Sequence, residues 1–455
     1  MPRAISRRVR VLAWLCLVLA IVVRLYWVFK VQSPYDAIYS DMGGYVERAK
    51  DLMSHAPSAY PRIRAFYPYG AHYVYAAEFW LCGFENKTPV CVVQALLCAS
   101  PTYFFVLFCT RFFKSAWGPG LLGLLFAVWQ PIVWCVGFFM SETPFLALLF
   151  WNAWLCLRFA ETRRYGVRLG LTSALLFAIR PQYILTFAIM GALYVLRHRR
   201  RLFPRKAWRS YLRVAIPWLA ILIFSSARHH RLTGRFGLIS ENGNLNRVFA
   251  DTTVAKVEAH WVTPNGEPWF YWFEPPTKKY FGEREHVIID GYIGDPEVLG
   301  RVRKEHLQGK SVFWRVRRAL NNVRLLWDLN DPWPEEDGAH QNAPNRTRHK
   351  LQRAFNGVTR WGGIPLMLLG LLLVRKRAGT MIILAHLVTL VVLSMLFFPE
   401  ARYRVPYDPF MLILASAGVV RLVQIVRRWV YAFGVKRRSA PHPGEAHRAP
   451  EPKSA

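Results

Sequence analysis

The chain has 455 residues, 53% of them hydrophobic and 15% aromatic, with a formal charge of +32. The apolar residues fall in long runs and the Lys and Arg in short segments between them, the pattern of a polytopic membrane protein obeying the positive-inside rule. That distribution excludes nucleic-acid binding as the use of the charge. The seven cysteines, mostly inside apolar runs, give neither a disulfide framework nor a zinc spacing.

In chain order, Arg3, Arg7, Arg8 and Arg10 precede an apolar run at 11–29 that is too long for a signal peptide and lacks a cleavage site, so it reads as an uncleaved first span. Further runs follow at 90–113, 118–140, 144–159, 169–179, 183–196, 211–227, 362–374, 380–398 and 409–426. These make about ten membrane segments and an all-α polytopic fold. The basic clusters Arg111/Lys114, Arg163/Arg164/Arg168, 197–209, 375–377 and 427–438 share one side if the N-terminus is cytoplasmic. The parity requires 169–196 to be two half-length passes. Arg180-Pro181 stands at their junction, where proline ends the first helix and the turn is expected to reach the outer face or a water-filled cavity.

This topology predicts an N-terminal membrane module at 1–227, whose first outer loop spans 30–89, and an extracytoplasmic loop at 228–361 of unassigned fold. C-terminal membrane segments at 362–430 and a disordered cytoplasmic tail at 431–455 complete the chain, which is placed in a plasma (inner) membrane. Between 228 and 353 stand twenty basic and sixteen acidic residues, a near balance that suits a long translocated loop.

Four polar stretches fall outside: 30–89, Ser141-Glu142-Thr143, 228–361 and 399–408. In the first, Tyr39-Ser40-Asp41-Met42-Gly43-Gly44-Tyr45 follows the first span, the two glycines are expected to let the chain turn, and 42–53 reads as an interfacial helix. A carboxylate at the water–lipid boundary keeps its charge yet is a stronger base than in open water, so Asp41 is a candidate general base. Ser40 or Asp41 would equally cap the following helix. Arg180 is costly at the end of a half-span unless it has a partner such as a lipid phosphate or snorkels to the headgroups. In Pro399-Glu400-Ala401-Arg402-Tyr403-Arg404-Val405-Pro406, two arginines on the outer side run against topology statistics and suit a phosphate, although an ordinary surface loop is the alternative.

Glu142 opens the fourth long span as a substrate- or metal-facing group or as part of a plain cap with Ser141 and Pro144. His229-His230 and the run Ile239-Ser240-Glu241-Asn242-Gly243-Asn244-Leu245-Asn246 suit sugar hydroxyls or, equally, a series of turns. Asn86-Lys87-Thr88 and Asn345-Arg346-Thr347 match the glycan-acceptor pattern.

Together these residues resemble the GT-C glycosyltransferases, the membrane enzymes that include protein O-mannosyltransferases, the lipid A aminoarabinosyltransferase and the bacterial RgtA-like group. The resemblance covers most of 11–426. It rests on Ser-Asp-Met-Gly-Gly-Tyr around Asp41, Tyr67-Pro68-Tyr69-Gly70, Ser141-Glu142-Thr143-Pro144, Arg180-Pro181 and Arg402-Tyr403-Arg404-x-Pro406. It implies a transferase that takes a sugar from a polyprenyl-phosphate carrier on the outer face, with Asp41 as base, Arg180, Arg402 and Arg404 on the donor phosphate, and Tyr45, Glu142, Glu241, Asn242 and Tyr403 on substrate. The acceptor would be a glycan, lipid or protein, and membrane lipids surround the site. Many members place a second acid directly after the first. Here Met42 occupies that position, which puts a divalent metal in doubt. Two other classes compete: a transporter or flippase of lipid-linked sugar, since a broken helix is also a transporter device, and a noncatalytic assembly subunit.

Overall fold

The computed structural model describes residues 5–54, 61–198, 205–262, 268–273, 285–327, 350–351, 353–374 and 378–438. Among these, seven helices are long and apolar enough to cross a membrane, and a bent pair makes an eighth. Two shorter apolar helices account for the remaining runs, so each of the ten expected segments is helical. The chain is a multi-pass, overwhelmingly helical membrane protein.

Helix α1 (Arg7–Lys30) starts where the Ser6 hydroxyl accepts from the Val9 N–H at 3.3 Å. Its 24 residues reach about 36 Å, enough for a bilayer core. Arg24 interrupts its apolar sequence and is fully buried. The guanidinium donates to the carbonyls of Ala20 (3.1 Å) and Ala127 (2.8 Å), tying the first span to the helix Trp117–Val128. A buried arginine is tolerated there because backbone oxygens solvate it.

After α1 the chain turns at Ser40, whose φ is +49°, and not at the two glycines. Gly43 and Gly44 lie inside α2 (Ser40–Ser54). Helix α3 (Tyr69–Cys82) follows, and Gly70 explains how it docks: a Cβ there would sit 2.5 Å from the Ala178 and Ile179 backbone. No side chain fits that approach. Helices α4 (Lys87–Ala99) and α5 (Pro101–Cys109) run on as one span. Helix α6 (Trp117–Val128) and the turn of helix α7 (Gln130–Trp134) form the bent pair, at 45°, because Trp129 adopts an extended ψ of 104° between them.

Helix α8 (Glu142–Thr162) is long enough for a full span, and α9 (Gly166–Ile179) and α10 (Tyr183–His198) are two shorter apolar helices of 14 and 16 residues. Arg180 breaks them with an extended φ,ψ of −138°, 104°, the conformation a residue before proline is pushed into. Helix α11 (Arg205–Thr233) carries Pro217 within it and leads to α12 (Asn242–Asp251).

The long segment between α11 and the C-terminal spans is not helical throughout. Strands β1 (Val254–Val262), β2 (Pro268–Phe273) and β3 (Glu285–Asp290) form a sheet in the order β2-β1-β3. Val257 of β1 faces Phe273 in the antiparallel pair and Val287 in the parallel pair. Helix α13 (Pro296–Leu307) begins at Asp295, whose carboxylate accepts from the N–H groups of Glu297 and Val298. Helix α14 (Val312–Leu325) follows, and the membrane part closes with α15 (Ile364–Val374), α16 (Ala378–Leu396), the turn of helix α17 (Ala401–Arg404) and α18 (Asp408–Arg438). The tail after 438 and Asn345-Arg346-Thr347 lie outside the described residues, and Asn86 bonds the Cys82 carbonyl at 2.9 Å. All seven cysteines are free.

Candidate active site

The four stretches assigned to one face from charge alone meet at a single cavity of about 400 Å³, together with the Arg180-Pro181 break. Asp41, in the first turn of α2, is 6% exposed. The Tyr67 hydroxyl donates to its Oδ1, and Arg402 Nη2 donates to its Oδ2 at 3.0 Å. Residues 41 and 402 therefore share one place, brought from opposite ends of the sequence. Tyr45, one turn after Asp41, lines the cavity with its ring 5.3 Å from that of Tyr67.

Arg402 is the hub. Its Nε lies 2.5 Å from Glu400 Oε2 and 4.0 Å from Glu142 Oε1, so one guanidinium faces three carboxylates. Arg180 Nη2 holds the same Glu142 Oε1 at 2.5 Å, and its Nε donates to the Ser141 hydroxyl at 3.2 Å. Ser141 thus serves Arg180 and makes no cap bond to α8. Arg180 Nη1 is buried with no acceptor. Tyr403 lies under both guanidinium groups, 5.2 Å from Arg402 and 5.8 Å from Arg180.

Three carboxylates against two guanidinium groups leave the cluster one negative charge in excess when all are ionised. Burial pushes the Glu400 carboxyl up to about 7; Asp41 and Glu142 add to the rise, and Arg402 opposes it. Its Oε1 is buried and unpartnered. Much of the remaining lining is apolar, made by Ile184 and Leu185 of α10, Leu390 and Leu393 of α16, and Phe397 and Phe398 beyond it. Ser240, Asn242 and Asn246 complete it from α12 and the segment before it.

Two of the expected residues stand elsewhere. Arg404 is completely buried outside the cavity, its Nε on Asp408 Oδ1 at 2.9 Å, Nη1 on the Leu326 carbonyl at 3.0 Å and Nη2 on Asn356 Oδ1 at 2.6 Å. Two residues along a helix turn the side chain by about 200°, so Arg402 and Arg404 face opposite ways. Glu241 likewise turns from the cavity, 3.5 Å from Arg62 Nε, while the adjacent Asn242 lines it. His229 Nδ1 meets the Arg235 carbonyl at 3.0 Å and His230 stacks on Phe236, so both serve the end of α11.

The sequence reading gave no role to Glu400 or Tyr67, although each stands inside a motif it singled out. An acid beside a buried arginine and an aromatic hydroxyl within a loop motif were the available signals. As to a metal ion, the described residues bring no three His, Cys, Asp or Glu side chains together in a way that could hold one. Asp41 has a hydroxyl on one oxygen and a guanidinium on the other, with Met42 in the following position.

No family model matches the chain. No curated protein matches it either. Among solved structures, it is similar to the Archaeoglobus fulgidus oligosaccharyltransferase in its apo form, with a TM-score of 0.49 and 12% identity over 93% of this chain. The chain spans about half, 52%, of the length of that protein.

Proposed function

We propose that the protein is a GT-C-type membrane glycosyltransferase that moves a sugar from a polyprenyl-phosphate carrier to an acceptor hydroxyl on the extracytoplasmic face. The observation that carries this reading is the shared Arg402: it holds the candidate base Asp41 at 3.0 Å in a cavity that Arg180 also lines and whose remaining lining is largely apolar. A lipid-linked phosphosugar needs both halves of such a cavity.

A donor phosphate would compete with the carboxylates for the guanidinium groups of Arg402 and Arg180, the latter already offering a spare Nη1 donor. Drawing Arg402 onto the phosphate releases Asp41 to accept the proton of the acceptor hydroxyl. The acceptor oxygen attacks the anomeric carbon from the face opposite the phosphate, the carbon–phosphate-oxygen bond breaks, and the lipid phosphate departs with the electron pair. The two guanidinium groups stabilise that developing charge. The product has inverted configuration. A glycosidase would need two carboxyl groups facing across the bond, whereas here the carboxylates converge on one guanidinium. The Asn242 and Asn246 amides and the Tyr45 and Tyr403 rings, all lining the cavity, would bind the sugar.

Mass spectrometry of surface glycans, lipids and proteins from a deletion strain tests the reading. One sugar is expected to disappear from one acceptor and to return with the wild-type gene but not with Asp41→Asn. Purified protein that carries labelled polyprenyl-phosphate sugar across liposomes and never transfers it would establish a flippase instead.

A further inference from the structure

Helix α14 has a polar, anchored face and an apolar, uncovered one. On the anchored face Arg318 donates to the carbonyls of Ala250 (3.2 Å) and Thr252 (2.8 Å), and Asn322 donates to Ala250 at 3.0 Å. These bonds fasten α14 to the end of α12. On the other face Val312 and Phe313 are 77% and 76% exposed, and Val316 and Leu320 are more than half exposed. At 3.6 residues per turn these four form one stripe about 100° wide. Arg315 borders it on one side and Arg317 and Arg324 on the other, all three exposed.

We propose that α14 is an interfacial membrane helix, with Val312, Phe313, Val316 and Leu320 seated among the headgroups of the leaflet at the cavity and Arg315, Arg317 and Arg324 binding the phosphates of anionic lipids. Two observations select a bilayer over a protein partner. First, α14 packs on the spanning helix α16, whose Val388 and Leu396 are themselves exposed, so the stripe lies beside lipid-facing surface. Second, arginines on both margins of an apolar stripe match a plane of phosphates over acyl chains, each stem lying on the apolar layer while the guanidinium reaches the phosphate. The helix also reports inward. Leu326, one residue past it, lines the cavity, and its carbonyl holds Arg404 at 3.0 Å. Through α12 the same helix sets the position of Asn242 and Asn246. Seating α14 in the leaflet therefore positions the cavity's loop wall relative to the donor's headgroup plane.

The test uses the full-length protein in nanodiscs of phosphatidylcholine, alone or mixed with phosphatidylglycerol, with dansylalanine at position 313 or 320 and at position 305 of α13 as control. All three positions are exposed, so the label leaves the core intact. Emission at 313 and 320 is expected to be blue-shifted by about 20–40 nm against 305 and quenched by nitroxide-labelled lipid. Phosphatidylglycerol should raise that quenching about 2- to 5-fold, an increase lost when Arg315, Arg317 and Arg324 are all changed to Gln. Equal iodide quenching at 313 and 305 would overturn the proposal. A blue shift that persists in lipid-free amphipol and grows with protein concentration would also overturn it, assigning the stripe to a second copy.

Discussion

Arg402 and Arg404 are two residues apart, both buried and both paired with acids, yet their surroundings differ in kind. Arg402 stands at the wall of a cavity and is shared among Asp41, Glu142 and Glu400. Arg404 has one acid, Asp408, and spends its other nitrogens on the Leu326 carbonyl and the Asn356 amide. An incoming anion can take the first guanidinium because several acceptors already compete for it, whereas the second is closed from every side. The comparison separates a cation that exchanges partners from one that holds helices together, a distinction that charge and burial alone do not make.

Removing each cation should separate the two regions most sharply. Arg404→Ala leaves the Asp408 charge buried without its counter-ion, held by the Trp129 indole N–H alone at 3.4 Å, at a cost of about 3–5 kcal/mol. The expected outcome is loss of folded, extractable protein, measured by the melting temperature in detergent, with normal transfer by whatever fraction folds. Arg402→Ala leaves carboxylates at the wall of a cavity that water can enter, so it should instead yield folded protein with donor use weakened about 10²-fold in kcat/KM, since one charge-stabilising donor is lost. Similar folded yields for the two variants would erase the distinction.

The arrangement of apolar runs shows how much of this was legible. Ten runs became helices, and the Arg180-Pro181 break was readable because proline acts on its immediate neighbour. Asp41 and Arg402 were recognisable as charges at the ends of spans. Their pairing was not, because it joins residues 361 positions apart and depends on how α2 and α17 pack. The i, i+2 spacing of Arg402 and Arg404 was read as a two-pronged phosphate grip, but the helical turn from 401 to 404 sends the prongs in opposite directions. Ser40 hid the chain reversal credited to Gly43-Gly44, since nothing in its residue type announces a positive φ. The sheet within 228–361 went unassigned because its β1–β3 pairing joins strands separated in sequence by β2.

Glu400 gives a subtler way to sharpen the comparison, through pH. Its folded pKa of about 7 lies above its ordinary value of 4.5, so the folded state holds the proton more tightly than the unfolded chain. The resulting stabilisation is fully present below about pH 4.5 and is lost as the pH rises through about 7. Wild-type melting temperature should therefore decline over that window, and Glu400→Gln should flatten the decline; an unchanged slope would remove Glu400 from the cluster's proton balance. The smallest effect belongs to the cavity's amides. Asn242→Ala should slow transfer about 3- to 10-fold, the worth of a hydrogen bond or two, while Glu241→Gln beside it leaves transfer unchanged. Equal losses from both would mean that the cavity does not discriminate between these neighbours.

The central claim is that Asp41 accepts a proton in a cavity that Arg402 helps to close, and purified Asp41→Asn protein in lipid tests it most directly. With radiolabelled polyprenyl-phosphate sugar, the variant should bind donor as the wild type does and transfer it at least about 10²-fold more slowly. Transfer at the wild-type rate would contradict the account.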